Sequence, residues 1–179
     1  MGKSFRSLAR RLFPAGNPRK RRLVALTALL LLAGCGGGGG ASKQEVTQGF
    51  RGQGYRAQAP QGWEIRRGLR SVTARRSASL VSVTVFPLVK RYRPGLFDQI
   101  VPELDRVASQ LARREGATVS SRRTEKVAER DARVYELARS GAKERIAFVL
   151  AGRREFQLYC KPSTDHACDL LFSSFRIAA

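Results

Sequence analysis

Side chains able to do chemistry are few here: one histidine and three cysteines in 179 residues. Hydrolysis through a histidine base needs a positioned nucleophile and an orienting acid. His166 has only Asp165 and Asp169 nearby in sequence, and both read as acids that favour a helix N-terminus. A surface or capping role is therefore expected of His166, with no catalytic residue. A closed metal site needs four ligands. One histidine and the pair Cys160 and Cys168 cannot supply them without remote carboxylates, so no metal and no cofactor are expected. The glycine run 36–40 leads into no strand or helix, which excludes a phosphate loop.

The third cysteine, Cys35, has a different setting. The first 34 residues carry Lys3, Arg6, Arg10, Arg11, Arg19, Lys20, Arg21 and Arg22 and no acid, ending in an apolar run, 23–34. Twelve apolar residues are too few to cross about 30 Å of hydrocarbon, which takes roughly 20. A charged lead followed by a short apolar run is the pattern of an export signal. At its end, Leu32-Ala33-Gly34-Cys35 resembles the lipobox of bacterial lipoproteins. That resemblance implies a diacylglyceryl group on the Cys35 sulfur, cleavage between Gly34 and Cys35, and anchorage at the cell membrane. The small pair Ala33 and Gly34 lets a peptidase approach, and a thiolate is the nucleophile the lipid transfer needs. Arg10-Arg11-Leu12-Phe13 matches part of a twin-arginine signal, but Pro14 and Ala15 break the match, which favours the general route.

Charge sets the next expectation. The chain has 34 Lys+Arg against 14 Asp+Glu, a formal +20, with an ordinary 42% apolar content. Without residues 1–34 the balance is 26 against 14, or +12. Residues 51–95 hold ten basic residues against Glu64 alone, whereas 96–179 hold 15 against 12. Arginine-rich codon usage would not remove acids from one half. A basic face of Arg66, Arg67, Arg70, Arg75, Arg76, Arg91 and Arg93 is expected to meet an anionic partner: lipid headgroups, a wall polymer or an envelope protein. A solvated surface produces the same charge run. Aromatic residues interleave with arginine at Phe50-Arg51, Tyr55-Arg56, 63–67 and Arg91-Tyr92-Arg93. Single-stranded nucleic acid is bound by such patterns, but outside the membrane core anchors beside exposed arginines are the simpler reading, and no nucleic acid is expected.

Positioning these residues falls to one domain, 54–179, behind a tether over 35–53 whose glycines hold no fixed backbone and reach roughly 20 Å. Strands are expected at 55–57, 63–67, 69–75 and 80–86, with Val81, Val83 and Val85 on one face. A helix follows the Arg93-Pro94-Gly95 break, with Ile100, Leu104, Val107 and Leu111 at helical spacing, Asp98 as cap, Pro102 near the first turn and Gly116 as stop. Four more strands, 118–124, 133–138, 145–150 and 155–160, turn at Gly141 and Gly152-Arg153 into antiparallel hairpins. In 145–150 both faces are apolar and need cover. A last helix, 165–175, places Cys168, Leu171, Phe172 and Phe175 on one face, capped by Ser163 or Asp165. Cys160 ends a strand on the Phe156 and Leu158 face, so a disulfide between Cys160 and Cys168 is expected in an oxidising compartment.

Taken together, "APQGW", "LVSVTVFP", one long helix, hairpin strands and the closing "CDLLFSSFR" resemble the domain shared by the photosystem protein PsbP and the Mog family of Ran-binding proteins. The lipobox-bearing LpqN-type lipoproteins are closer still. The resemblance, over about residues 55–175, implies an α+β fold, an antiparallel β-sheet sandwiched between helices. It carries over no catalytic residue, because fold does not imply function. A tethered binding or assembly module in the cell envelope is expected, at the outer face of the plasma membrane or the periplasmic side of an outer membrane. The alternative is a carrier of an apolar, lipid-like ligand.

Overall fold

The computed structural model describes residues 46–162 and 164–178. The segment expected to be a signal peptide, Cys35, the glycine run and Ser163 lie outside the described residues. Ten strands and two helices form an α+β fold in which antiparallel sheet predominates. A three-stranded sheet has the order β1 (Thr47–Gly52), β2 (Tyr55–Pro60), β10 (Arg176–Ile177). A seven-stranded antiparallel sheet runs β3 (Glu64–Arg67), β4 (Ser71–Arg76), β5 (Ser79–Pro87), β9 (Arg154–Lys161), β8 (Ala142–Ala151), β7 (Arg130–Arg139), β6 (Thr118–Val127).

Regular structure begins before the expected tether ends. Residues 47–52 form β1, because Phe50 is 1% exposed against the core and Gln48 Nε2 donates to the carbonyls of Pro60, at 3.1 Å, and Trp63, at 2.7 Å. One apolar anchor in a polar stretch gives no periodic signal, yet it suffices once a partner strand is present.

Helix α1 spans Phe97–Arg114, after a 3-10 turn over Pro94–Leu96. Asp98 does not cap it: Leu96 is the N-cap, without a side-chain bond. Asp98 instead contributes its charge to the first turn. Pro102 is the sixth helical residue, beyond the first turn, and denies the Asp98 carbonyl its usual donor. Both residues are exposed, so the freed carbonyl faces solvent. Helix α2, His166–Ser174, is capped by Asp165, whose carboxylate accepts from Ala167 N at 3.0 Å.

Strand β8 shows how the core is divided. Ile146 and Phe148 join Leu104, Ala108 and Ala112 of α1 in one buried cluster. Ala147 and Val149 join Phe50, Tyr55, Cys168 and Leu171 in another. Alternation along a strand sends consecutive side chains to opposite faces, so a strand apolar on both faces is buried on both. In the larger cluster, Tyr55, Phe156 and Phe175 meet ring to ring with centroids 5.6–6.0 Å apart. Tyr55 Oη donates to the Val83 carbonyl at 3.2 Å, and burial pushes its phenol up to about 12.

The cysteines act within this cluster. Cys160 and Cys168 are fully buried, with sulfurs at disulfide distance and Cα atoms 5.4 Å apart. They tie the end of β9 to the first turn of α2.

Candidate anion-binding groove

The three-stranded sheet turns Phe50, Tyr55 and Ala57 inward and leaves Arg51, Arg56 and Gln58 exposed, as a two-residue period requires. Register places Arg56 opposite Arg51 on one side and opposite Arg176 on the other. Directly opposed residues share a face with Cα atoms about 4.5–5.5 Å apart. Three arginines therefore stand in one row across three strands.

A fourth arrives from the edge of the large sheet. Arg67 of β3 donates through Nη1 to the Arg51 carbonyl. Arg176 Nη1 donates to the carbonyls of Ser173 and Phe175, both at 2.7 Å, satisfying groups that a helix C-terminus leaves open. Together Arg51, Arg56, Arg67 and Arg176 line an open groove of about 790 Å³, with Leu170 and Ser173 on its helical side. No carboxylate lines it. Like charges directly opposed across strands destabilise by roughly 0.2–1 kcal/mol, so the row works against the stability of its own sheet.

The seven arginines of the expected basic face are distributed differently. Arg67 pairs with Val72 and Ile65 with Ala74, so Arg67 lies on the side of the buried residues and reaches the groove. Arg66 and Arg75 lie on the opposite face and converge on Glu64, at 2.7 and 3.4 Å. The Arg66 hydrogen bond, helped by Arg75, holds the Glu64 carboxyl below its ordinary range. Arg76 lines a second open groove, of about 550 Å³, with Trp63 and Asp165. Arg70 is exposed at the β3–β4 turn, its carbonyl accepting from Val85 N at 2.8 Å. Arg91 and Arg93 are exposed on either side of buried Tyr92. The aromatic residues of the interleaved stretches, Phe50, Tyr55, Trp63 and Tyr92, are all core residues.

Three groove residues, Arg51, Arg56 and Arg176, are not among the seven arginines expected to form the basic face. The available signal was "FRGQGYR", in which two arginines flank a glycine-bearing turn symmetrically and must therefore face each other if the segment is a hairpin. Arg176 has no such local signal, since only the return of β10 brings it to Arg56.

Around His166 the flanking acids are engaged. Asp165 caps α2 and accepts from Ser79 Oγ at 2.7 Å, and Asp169 pairs with Arg145 at 3.1 Å. His166 itself is exposed. Among the described residues no group of three or more His, Cys, Asp or Glu is placed to hold a metal ion. No family model matches the chain, and no curated protein matches it.

Proposed function

We propose that this protein is an exported lipoprotein, lipidated on Cys35 after cleavage at Gly34, that acts in the cell envelope as a non-catalytic binding or assembly module. In this reading the folded domain is of the PsbP/Mog type, with helices covering the sheet on both faces, and its partner is anionic. The acid-free groove lined by four arginines carries the proposal. Supporting it are the buried cysteine pair, which suits an oxidising compartment, and the lipobox that precedes the domain. A carrier of apolar ligands would need an apolar-lined cavity, whereas both grooves described above are open and bear arginine.

The test is Cys35→Ser in the intact chain, followed by membrane fractionation and palmitate labelling in a bacterial host. Loss of label and failure of processing are expected. Unchanged processing and retention would overturn the lipoprotein reading. Proximity labelling from the exported protein then identifies the partner, which should be anionic.

A further inference from the structure

We infer that the row Arg51, Arg56 and Arg176, with Arg67 beside it, is a binding site for a ligand bearing two or more phosphoryl groups. The inference rests on the anionic partner proposed above and specifies its chemistry and its place. Three features of the groove lead to it.

First, the guanidinium groups retain donors. Arg51 and Arg56 engage no carboxylate among the described residues, and Arg67 and Arg176 each commit one nitrogen to backbone carbonyls. A guanidinium presents five N–H donors in a planar fork that matches the oxygens of a phosphoryl group. Second, the spacing is that of a row, not a point. Two steps of about 5 Å between opposed strands place the outer Cα atoms about 10 Å apart, room for more than one phosphoryl group. Third, the groove is open and free of acids, so it admits an extended anion and offers nothing to a cation. Its aromatic residue, Phe50, is buried beneath the sheet and gives no stacking surface, which sets the site apart from one for single-stranded nucleic acid.

Such phosphoryl groups could belong to a lipid headgroup or to a soluble or polymeric phosphate. The full chain, held in non-ionic micelles, is titrated calorimetrically with sodium pyrophosphate at constant ionic strength. In a second arm the micelles are doped with cardiolipin, whose headgroup carries two phosphoryl groups, or, as control, phosphatidylcholine. Arg51→Gln and Arg56→Gln are compared with Arg113→Gln, which removes the same charge from an exposed position in the last turn of α1.

Binding about tenfold weaker in the two groove variants, and near wild type in Arg113→Gln, is the expected result. If it is seen with pyrophosphate, the ligand is a soluble or polymeric phosphate. Seen only with cardiolipin, it is a lipid headgroup. In the absence of ligand, Arg56→Gln should melt no lower than wild type, because it removes a like-charge repulsion; this also shows that the variant folds. The inference is overturned if neither probe binds, or if all three substitutions weaken binding equally, which would reflect net charge alone. Palmitate labelling of Cys35 is read separately, so failure of the tether and failure of the groove remain distinguishable.

Discussion

Arg133 of β7 grips Asp105 of α1 with two nitrogens, Nε to Oδ1 at 2.9 Å and Nη2 to Oδ2 at 3.2 Å. Tyr135 Oη donates to the same Oδ1 at 2.7 Å, and Arg122 stands 3.9 Å away. This joint holds the long helix to the large sheet beside the Leu104 cluster. Burial pushes the Asp105 carboxyl up, but the hydrogen bonds from Arg133 and Tyr135 and the arginine charges outweigh it and hold it below its ordinary range.

Asp105→Asn should therefore destabilise the protein by about 2 kcal/mol at pH 7, since it removes charge-assisted bonds and leaves Arg133 partly unpaired. Because the folded pKa is depressed, the stabilisation is present above the unfolded value of about 4 and is lost as pH falls through the lower folded value. Urea denaturation of wild type and variant should diverge at pH 7, and the difference should shrink as pH falls below about 4. A difference that does not change with pH would contradict the joint.

Glu155 behaves in the opposite sense. It lies on β9 between Phe86 of β5 and Leu150 of β8, and burial pushes its carboxyl up to about 7. A raised folded pKa means that the native state holds its proton where the unfolded chain has released it. Its contribution is full below about pH 4.3 and declines as pH rises through 7. Glu155→Gln should match wild type near pH 4 and exceed it at pH 8.5, by at most about 3 kcal/mol. Denaturation curves at those two pH values decide it, and an equal difference at both would refute the shift.

Reduction of the Cys160–Cys168 pair should lower stability by about 2 to 3 kcal/mol in the chain-entropy description of a loop with sequence separation 8. The double substitution to alanine should show a similar loss that reductant no longer changes. Thiol counting under denaturing, non-reducing conditions gives the direct answer: two reactive thiols from these positions would show that the bond is absent.

The β6–β7 turn is strained in a way that can be relieved. Ala128 and Glu129 sit at φ 51° and 60°, the left-handed region that a two-residue hairpin turn of this type requires at both positions. Neither residue favours it. Replacing the pair with Asn-Gly should raise stability by about 1 kcal/mol, measured by thermal and urea unfolding. No gain would mean that the turn relaxes without cost.

Hairpins and helices were legible because their signals are local. Val81, Val83 and Val85 alternate within five residues, Gly141 and Gly152 mark turns, and Cys160 and Cys168 fall on apolar faces eight residues apart. The Ala128-Glu129 turn was invisible for the same reason: its residues carry no turn chemistry, and the pairing of long flanking strands imposes the conformation. Asp98 was misplaced as a cap because the 3-10 turn at Pro94–Leu96 starts the helical path earlier than the capping pattern suggests.

The sequence by itself determined the alternation of strands and helices, the cysteine pairing and the surplus of arginine over acid in residues 51–95, all of which depend on composition or short periodicities. Only the tertiary structure decided which arginines act together. A shift of one residue in strand register reverses every side chain, and that parity sends Arg66 and Arg75 to Glu64 while Arg67 turns toward the groove. Arg176 reaches Arg56 only because α2 packs on β2 and lets β10 pair beside it. The contact joins the two ends of the domain and depends on the burial of Phe175 and Leu171 in a core that forms only when the whole domain is folded.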